Sequence, residues 1–254
     1  MSQAALWNGY MRGYDFLTKV DGYAENLRDI ASALDVRPGE HVLDAGSGTG
    51  NLSIHLKARG AHVTSCDFSA NALDAHRSKD PKALLIHASL EEPLPFPDGA
   101  FDAICCASVL FALSERGCRL ALSEFRRTLK DGGRLVVTVP AKEASLLNLV
   151  RMHRASTTRR NGPVLGSFRF LTDLPALGRV LYYNRCLFRL PDWQGFHRFK
   201  EDELCRMVSA AGLEVRASRR TYGSCFTLIE AQKGLKALAS GHFEWEALPS
   251  VAQG

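Results

Sequence analysis

The stretch that most restricts what this chain can become is residues 41–50, His-Val-Leu-Asp-Ala-Gly-Ser-Gly-Thr-Gly. It starts apolar at Val42 and Leu43, as a buried strand does. An acid follows at Asp44, and then glycines at Gly46, Gly48 and Gly50, with Ser47 between the first two. Glycine reaches positive φ and has no Cβ, so the backbone here can turn sharply and press against a ligand. Asn51 to Arg59 follows with helical apolar spacing at Leu52 and Leu56, and stops at Gly60, a residue suited to ending a helix. Strand, glycine loop and helix in that order predict a doubly wound α/β sheet with a nucleotide at the strand's carboxyl end.

Two kinds of nucleotide site use such loops, and the spacing separates them. A dinucleotide fingerprint wants a third glycine three positions after its second, where helix and strand pack closely. Here that position is Asn51. The order Asp44-x-Gly46-x-Gly48-x-Gly50 instead resembles motif I of the class I S-adenosylmethionine-dependent methyltransferases. A nicotinamide-dependent oxidoreductase on a related fold, and a methyltransferase-like scaffold without activity, stay as alternatives.

The chain downstream fits that frame. Ala61 to Cys66 reads as a second strand that ends at Asp67, 21 residues beyond Gly46. An acid there can accept hydrogen bonds from both ribose hydroxyls, and its charge argues against a 2′-phosphate. Phe68 is placed to lie against an adenine, and Ser69 suits the cap of a helix over 70–77. Residues 83–87 read as a third strand. Residues 101–107 form a fourth, whose exit at Ala107 and Ser108 is small enough for a crowded transfer site. An amphipathic helix over 119–130, a turn at Asp131-Gly132-Gly133 and a fifth strand over 134–140 complete a regular alternation of strand and helix, which predicts parallel pairing. A helix over 201–211 and strands over 213–215 and 225–231 resemble the antiparallel closing hairpin of the family.

The resemblance implies a Rossmann-like three-layer sandwich: a mostly parallel seven-stranded sheet with an antiparallel last strand, plus a helical lid insertion. It divides the chain into cap helices and cofactor core (1–140), a lid that binds the acceptor (141–200), the rest of the core sheet (201–232) and a tail (233–254). It also implies S-adenosyl-L-methionine as cofactor, held by Tyr14, Asp44, Gly46, Ser47, Gly48, Gly50, Asp67, Phe68, Ser89, Leu90 and Ala107. Ser89 departs from the family, which usually has an acid at that place to accept from the adenine amino group. The aromatic pattern Trp7, Tyr10, Tyr14, Tyr23 resembles the N-terminal cap of small-molecule methyltransferases; packing on the sheet is the other reading, and the preferred one for Tyr23, while Tyr10, Ser108 and Tyr183 are the candidate acceptor contacts.

Composition narrows the partners. No apolar run approaches the roughly 20 residues that span a bilayer, so no membrane is expected as a partner. The N-terminal residues lack the charged start and apolar core of a signal peptide. Seven cysteines form no CxxC pair and no zinc spacing, and read as reduced, buried thiols of a cytoplasmic protein without a metal. The net charge of +5 is uneven. Residues 1–140 hold 15 Lys and Arg against 17 Asp and Glu, while residues 141–254 hold 17 against 10. The basic excess lies in 151–200, among aromatics. It admits a solvated or subunit-contact face, which leaves a homodimer open; recognition of an acidic group on a small-molecule acceptor; or, as a minority reading, an RNA acceptor.

Methyl transfer from a sulfonium is an in-line displacement from an activated donor, so positioning and exclusion of water do most of the work. That explains why no triad, carboxylate pair or metal cluster is visible in the sequence. If the acceptor arrives protonated, His153 or His197 is the candidate base.

Overall fold

The computed structural model describes residues 21–142, 146–187, 197, 199–221 and 224–235. Its elements are α1 (Asp21–Ala33), β1 (His41–Ala45), α2 (Asn51–Lys57), β2 (His62–Asp67), α3 (Ala70–Lys79), β3 (Leu84–His87), β4 (Phe101–Ala107), α4 (Glu115–Thr128), β5 (Leu129–Pro140), α5 (Leu146–Leu187), α6 (Glu201–Ala210), β6 (Leu213–Thr221) and β7 (Phe226–Lys233). The sheet runs β3-β2-β1-β4-β5-β7-β6. The first five strands pair in parallel, and β7 lies antiparallel between β5 and β6. The expected seven-stranded sandwich is thus the observed one.

Period-two alternation divides the core. Leu43, Ile104, Cys106, Leu135, Val137 and Ile229 point to one face and pack with Leu122 and Phe125 of α4 and Leu204 and Val208 of α6. Their neighbours Val42, Ala103, Cys105, Val136 and Leu228 point to the other, against Ile30 of α1, Leu34 just after it, and Leu52 and Leu56 of α2. Strands covered on both faces read as continuous apolar runs, and β1 is buried from Val42 to Ala45.

Several boundaries move, each for a local reason. Helix α4 begins at Glu115, before the expected Arg119, because Ser114 caps it by accepting from Gly117 N–H at 3.0 Å. The turn at Asp131-Gly132-Gly133 sits inside β5, with Leu129 opposite Phe101 and Arg134 opposite Ala103 across a bulge. Strand β6 continues to Thr221, well past the expected Val215. It is an edge strand, and Arg216, Arg219 and Arg220 hide it from an apolar reading.

The segment after β5 is a helical hairpin. Gly162, at φ 78° and ψ 170°, breaks α5 in two. The halves run antiparallel: a Cβ on Gly166 would meet Thr157 and Thr158, and His153 faces Asp173 and Phe170 across the contact. The hairpin rests against α1.

Candidate functional site

The chain visits β1, β2 and β3 on one side and then crosses to β4 on the other, so the order reverses beside β1. Ligands in open α/β sheets bind in the crevice outside the strand ends at such a point. The residues there are Gly46 to Gly50 after β1, Asp67 at the end of β2, and Ala107 and Ser108 at the end of β4.

The glycine loop is held by backbone and carboxylate. Gly46 and Ser47 donate to the Cys66 carbonyl at 2.8 and 2.9 Å, and Gly50 donates to the Ser47 carbonyl at 3.0 Å. All three glycines have positive φ. A Cβ on Gly46 would overlap Val109, and one on Gly50 would overlap the buried ring of His76. Ser108 takes φ 58°, uncommon for a residue with a side chain, and its N–H donates to the Thr138 carbonyl at 2.8 Å. The loop is thus packed from beneath and from the side.

Asp67 joins the loop to the next helix. Its Oδ2 accepts from Gly48 N–H at 2.8 Å and its Oδ1 from Ser69 N–H at 2.9 Å. Burial raises its pKa, and those two N–H groups oppose the rise. Ser69 caps α3 as expected, accepting from Ala72 N–H. Phe68 stands 51% exposed beside this carboxylate. Each carboxylate oxygen keeps a second lone-pair direction for a further donor.

Asp44 lies deeper. It is buried under the loop, where Ser53 Oγ donates to it at 2.5 Å and Cys105 Sγ approaches at 3.5 Å. Burial pushes its pKa up to about 6, against the pull of the Ser53 and Cys105 bonds, with the nearby Asp67 adding to the rise. Ser89 accepts from Glu91 N–H at 3.1 Å, and the Leu90 side chain is buried in the core.

Each histidine candidate faces a carboxylate, and His197 also donates its backbone N–H to the Phe111 carbonyl at 2.9 Å, just after β4. His153 is enclosed in the α5 hairpin, with Nε2 3.2 Å from Asp173. His197 Nε2 lies 2.7 Å from Glu203 at the start of α6, and the bond holds the Glu203 carboxyl below its usual range. Tyr10 and Tyr14 lie outside the described residues; Tyr183 is in the second half of α5, and its side chain lies outside them too. The Cys105 and Cys106 thiols are buried and pushed far above their ordinary value by desolvation, which leaves them unreactive.

One neighbour of the loop, Lys79, was not singled out from the sequence. Lys79 Nζ donates to Thr49 Oγ1 and Asn51 Oδ1, each at 2.9 Å, and Asn51 Nδ2 reaches the Tyr23 hydroxyl at 3.4 Å. Folding alone brings Lys79 there, from the far end of α3. Ser53 was readable: the first turn of the helix after the loop places it back over the strand.

The group such a crevice suits can be tested on one atom. Ser47 Oγ is shielded from water and has no hydrogen-bond partner among the described residues. A buried hydroxyl in that state wants a polar ligand. With a glycine loop at positive φ beside it and an acid at the end of β2, the residues fit an adenosine whose attached chain carries polar groups.

Comparison with known proteins agrees. The family model described as "Methyltransferase domain" matches residues 43–137. A demethylmenaquinone methyltransferase of Thermus thermophilus is 34% identical over 224 residues, covering 83% of this chain and 92% of that protein. One of Beutenbergia cavernae is 36% identical over 138 residues; the match covers 53% of this chain, which spans about half the length (56%) of that relative. A putative methyltransferase of Haloferax volcanii, solved in complex with a Trm112 activator, shares the fold at TM-score 0.61 and 15% identity, with 92% and 99% of the two chains covered. The chain belongs to the S-adenosylmethionine-dependent methyltransferases. Its cofactor is S-adenosyl-L-methionine.

Proposed function

We propose that this chain methylates a demethylmenaquinone-like quinone in its reduced form. One observation carries the acceptor: the alignment with the Thermus relative takes in 83% of the chain, more than the cofactor segment at 43–137 can supply. At least part of the 141–200 lid, the part of the chain that would choose the acceptor, then falls inside the likeness.

The assignment of parts follows from the geometry described. Asp67 accepts the ribose hydroxyls on its remaining lone pairs, and Phe68 lies against the adenine. Ser89 and the Leu90 N–H serve the adenine edge. Gly46, Ser47, Gly48 and Gly50 let the backbone approach, and Ser47 Oγ binds the amino-acid end. Asp44 fixes the loop from beneath through Ser53. Ala107 and Ser108 border the methyl group, with Tyr14 closing the cofactor side and Tyr10 and Tyr183 on the acceptor side. The bound cofactor supplies a methyl group already activated on a sulfonium. The protein's share is to hold the acceptor carbon in line with that methyl and keep water out. Arg151, Arg154 and Arg159, exposed on the first half of α5, suit an acceptor that has lost a hydroxyl proton to become an anion. Such an acceptor needs no prior deprotonation by His153 or His197, and the proton on the methylated ring carbon leaves to solvent as the ring regains aromaticity. The units 1–140, 141–200 and 201–232 then correspond to donor site, acceptor lid and sheet closure. Neither an RNA acceptor nor a nicotinamide cofactor gains support.

The test is transfer of isotopic methyl from labelled cofactor to chemically reduced demethylmenaquinone. Label recovered in the quinone, one methylene heavier by mass, is the expected result. Binding of cofactor with no label in any reduced quinone would overturn the acceptor while leaving the family untouched.

A further inference from the structure

The second half of the α5 hairpin is turned outside in. Its packed side carries Gly166, Phe170 and Asp173, set against the first half, while Val164, Phe168 and Leu171 are 84%, 65% and 60% exposed. Positions 164, 168, 171 and 175 fall on one face at helical spacing, and Leu165, 58% exposed, widens that face at the turn. A shallow open depression beside it is lined by Pro163, Val164, Leu165 and Phe168. A helix that stays in water does not normally present its largest apolar residues outward.

The charge around this face says what would cover it. Arg151, Arg154 and Arg159 are exposed along the first half and Arg169 along the second. The single acid in residues 146–187, Asp173, is buried against His153. Apolar residues ringed by guanidiniums, with no exposed acid, match a surface that is anionic outside and hydrocarbon beneath. A second copy of this chain on the same patch would bring two arginine-rimmed faces together with no exposed acid of 146–187 to offset them, since a two-fold contact joins the same patch on both copies.

We propose that the hairpin lies on anionic lipid bilayers, with Val164, Leu165, Phe168 and Leu171 entering the interface and the arginines at the headgroups. No helix among the described residues is long and apolar enough to cross a membrane, and this mode needs none. The sequence expectation of no membrane partner rested on spanning length alone. The proposal stands apart from the acceptor's identity.

Flotation of the whole chain with vesicles tests it. Binding to phosphatidylcholine mixed with phosphatidylglycerol, and not to phosphatidylcholine alone, is expected. High salt should weaken it, as the Debye length falls from about 10 Å at 0.1 M to about 3 Å at 1 M. The pair Phe168→Ser with Leu171→Ser should lower binding about tenfold or more, and Arg169→Gln should lower it and flatten the salt dependence. Both variants should keep the parent's cofactor affinity, since every changed side chain is exposed. Equal binding to neutral vesicles, or no binding to either, would overturn the proposal. So would a dimer in sedimentation velocity that the Phe168→Ser and Leu171→Ser pair abolishes, because that face would then be a contact between copies.

Discussion

At the scale of single residues, the loop is controlled by what lies beneath it. Asp44 is shut away from solvent and has few partners, so burial holds its pKa at about 6 against an ordinary 3.8. An acid raised in the native state binds its proton more tightly there than in the unfolded chain. Its contribution to stability is therefore largest at low pH, falls as pH climbs from about 4 to about 6, and is level above. That span corresponds to roughly 3 kcal/mol. Asp44→Asn should remove this slope, and urea midpoints measured on both sides of the window for parent and variant would show it; parallel pH profiles would contradict it. Gly50 is constrained twice, by φ of +81° and by His76. Gly50→Ala should cost about 2–4 kcal/mol in urea unfolding. Adding His76→Ala should restore the part due to overlap and leave the part due to φ, a non-additivity that a double-mutant cycle measures.

Among elements, the clearest dependence is of the 94–98 segment on α4. Arg127 donates to Glu124 Oε1 and Oε2, to Asp98 and to the carbonyls of Phe96 and Leu94, at 2.7–3.1 Å. Glu124 in turn accepts from Leu94 N–H at 2.7 Å, and the Arg127 bond holds its carboxyl below the usual range. Arg127→Ala leaves that mostly buried carboxylate without its cation, and should cost about 2–4 kcal/mol in denaturant unfolding. Arg127→Lys should recover only part, because an ammonium lacks the fork; full recovery would show that charge alone is at work. Much of the element order was legible in the sequence, because strand ends, caps and glycine turns are local: Ser69, Gly60 and Asp67 all stand where spacing put them. What was not legible came from contacts distant in sequence. Ser114 starts α4 amid polar residues, held by Glu91. The end of β6 is masked by arginines that reach Glu201 and Glu230. Lys79 and His76 meet the loop only once α3 is folded back on it. The α5 hairpin defeats a core-seeking reading, since its apolar residues face outward.

For the whole molecule, the reversal of strand order beside β1 sets one crevice, and the buried layers on both faces of the sheet hold its rim in place. The proposed site requires that the cofactor bind in that crevice, with Asp67 as its anchor. Titration calorimetry of S-adenosyl-L-methionine into the parent and into Asp67→Ala tests this most directly. The account predicts one site per chain in the parent, and in the variant an affinity weaker by about 1–3 kcal/mol, the range for a hydrogen bond to a charged group. Equal affinity in the two proteins would contradict it.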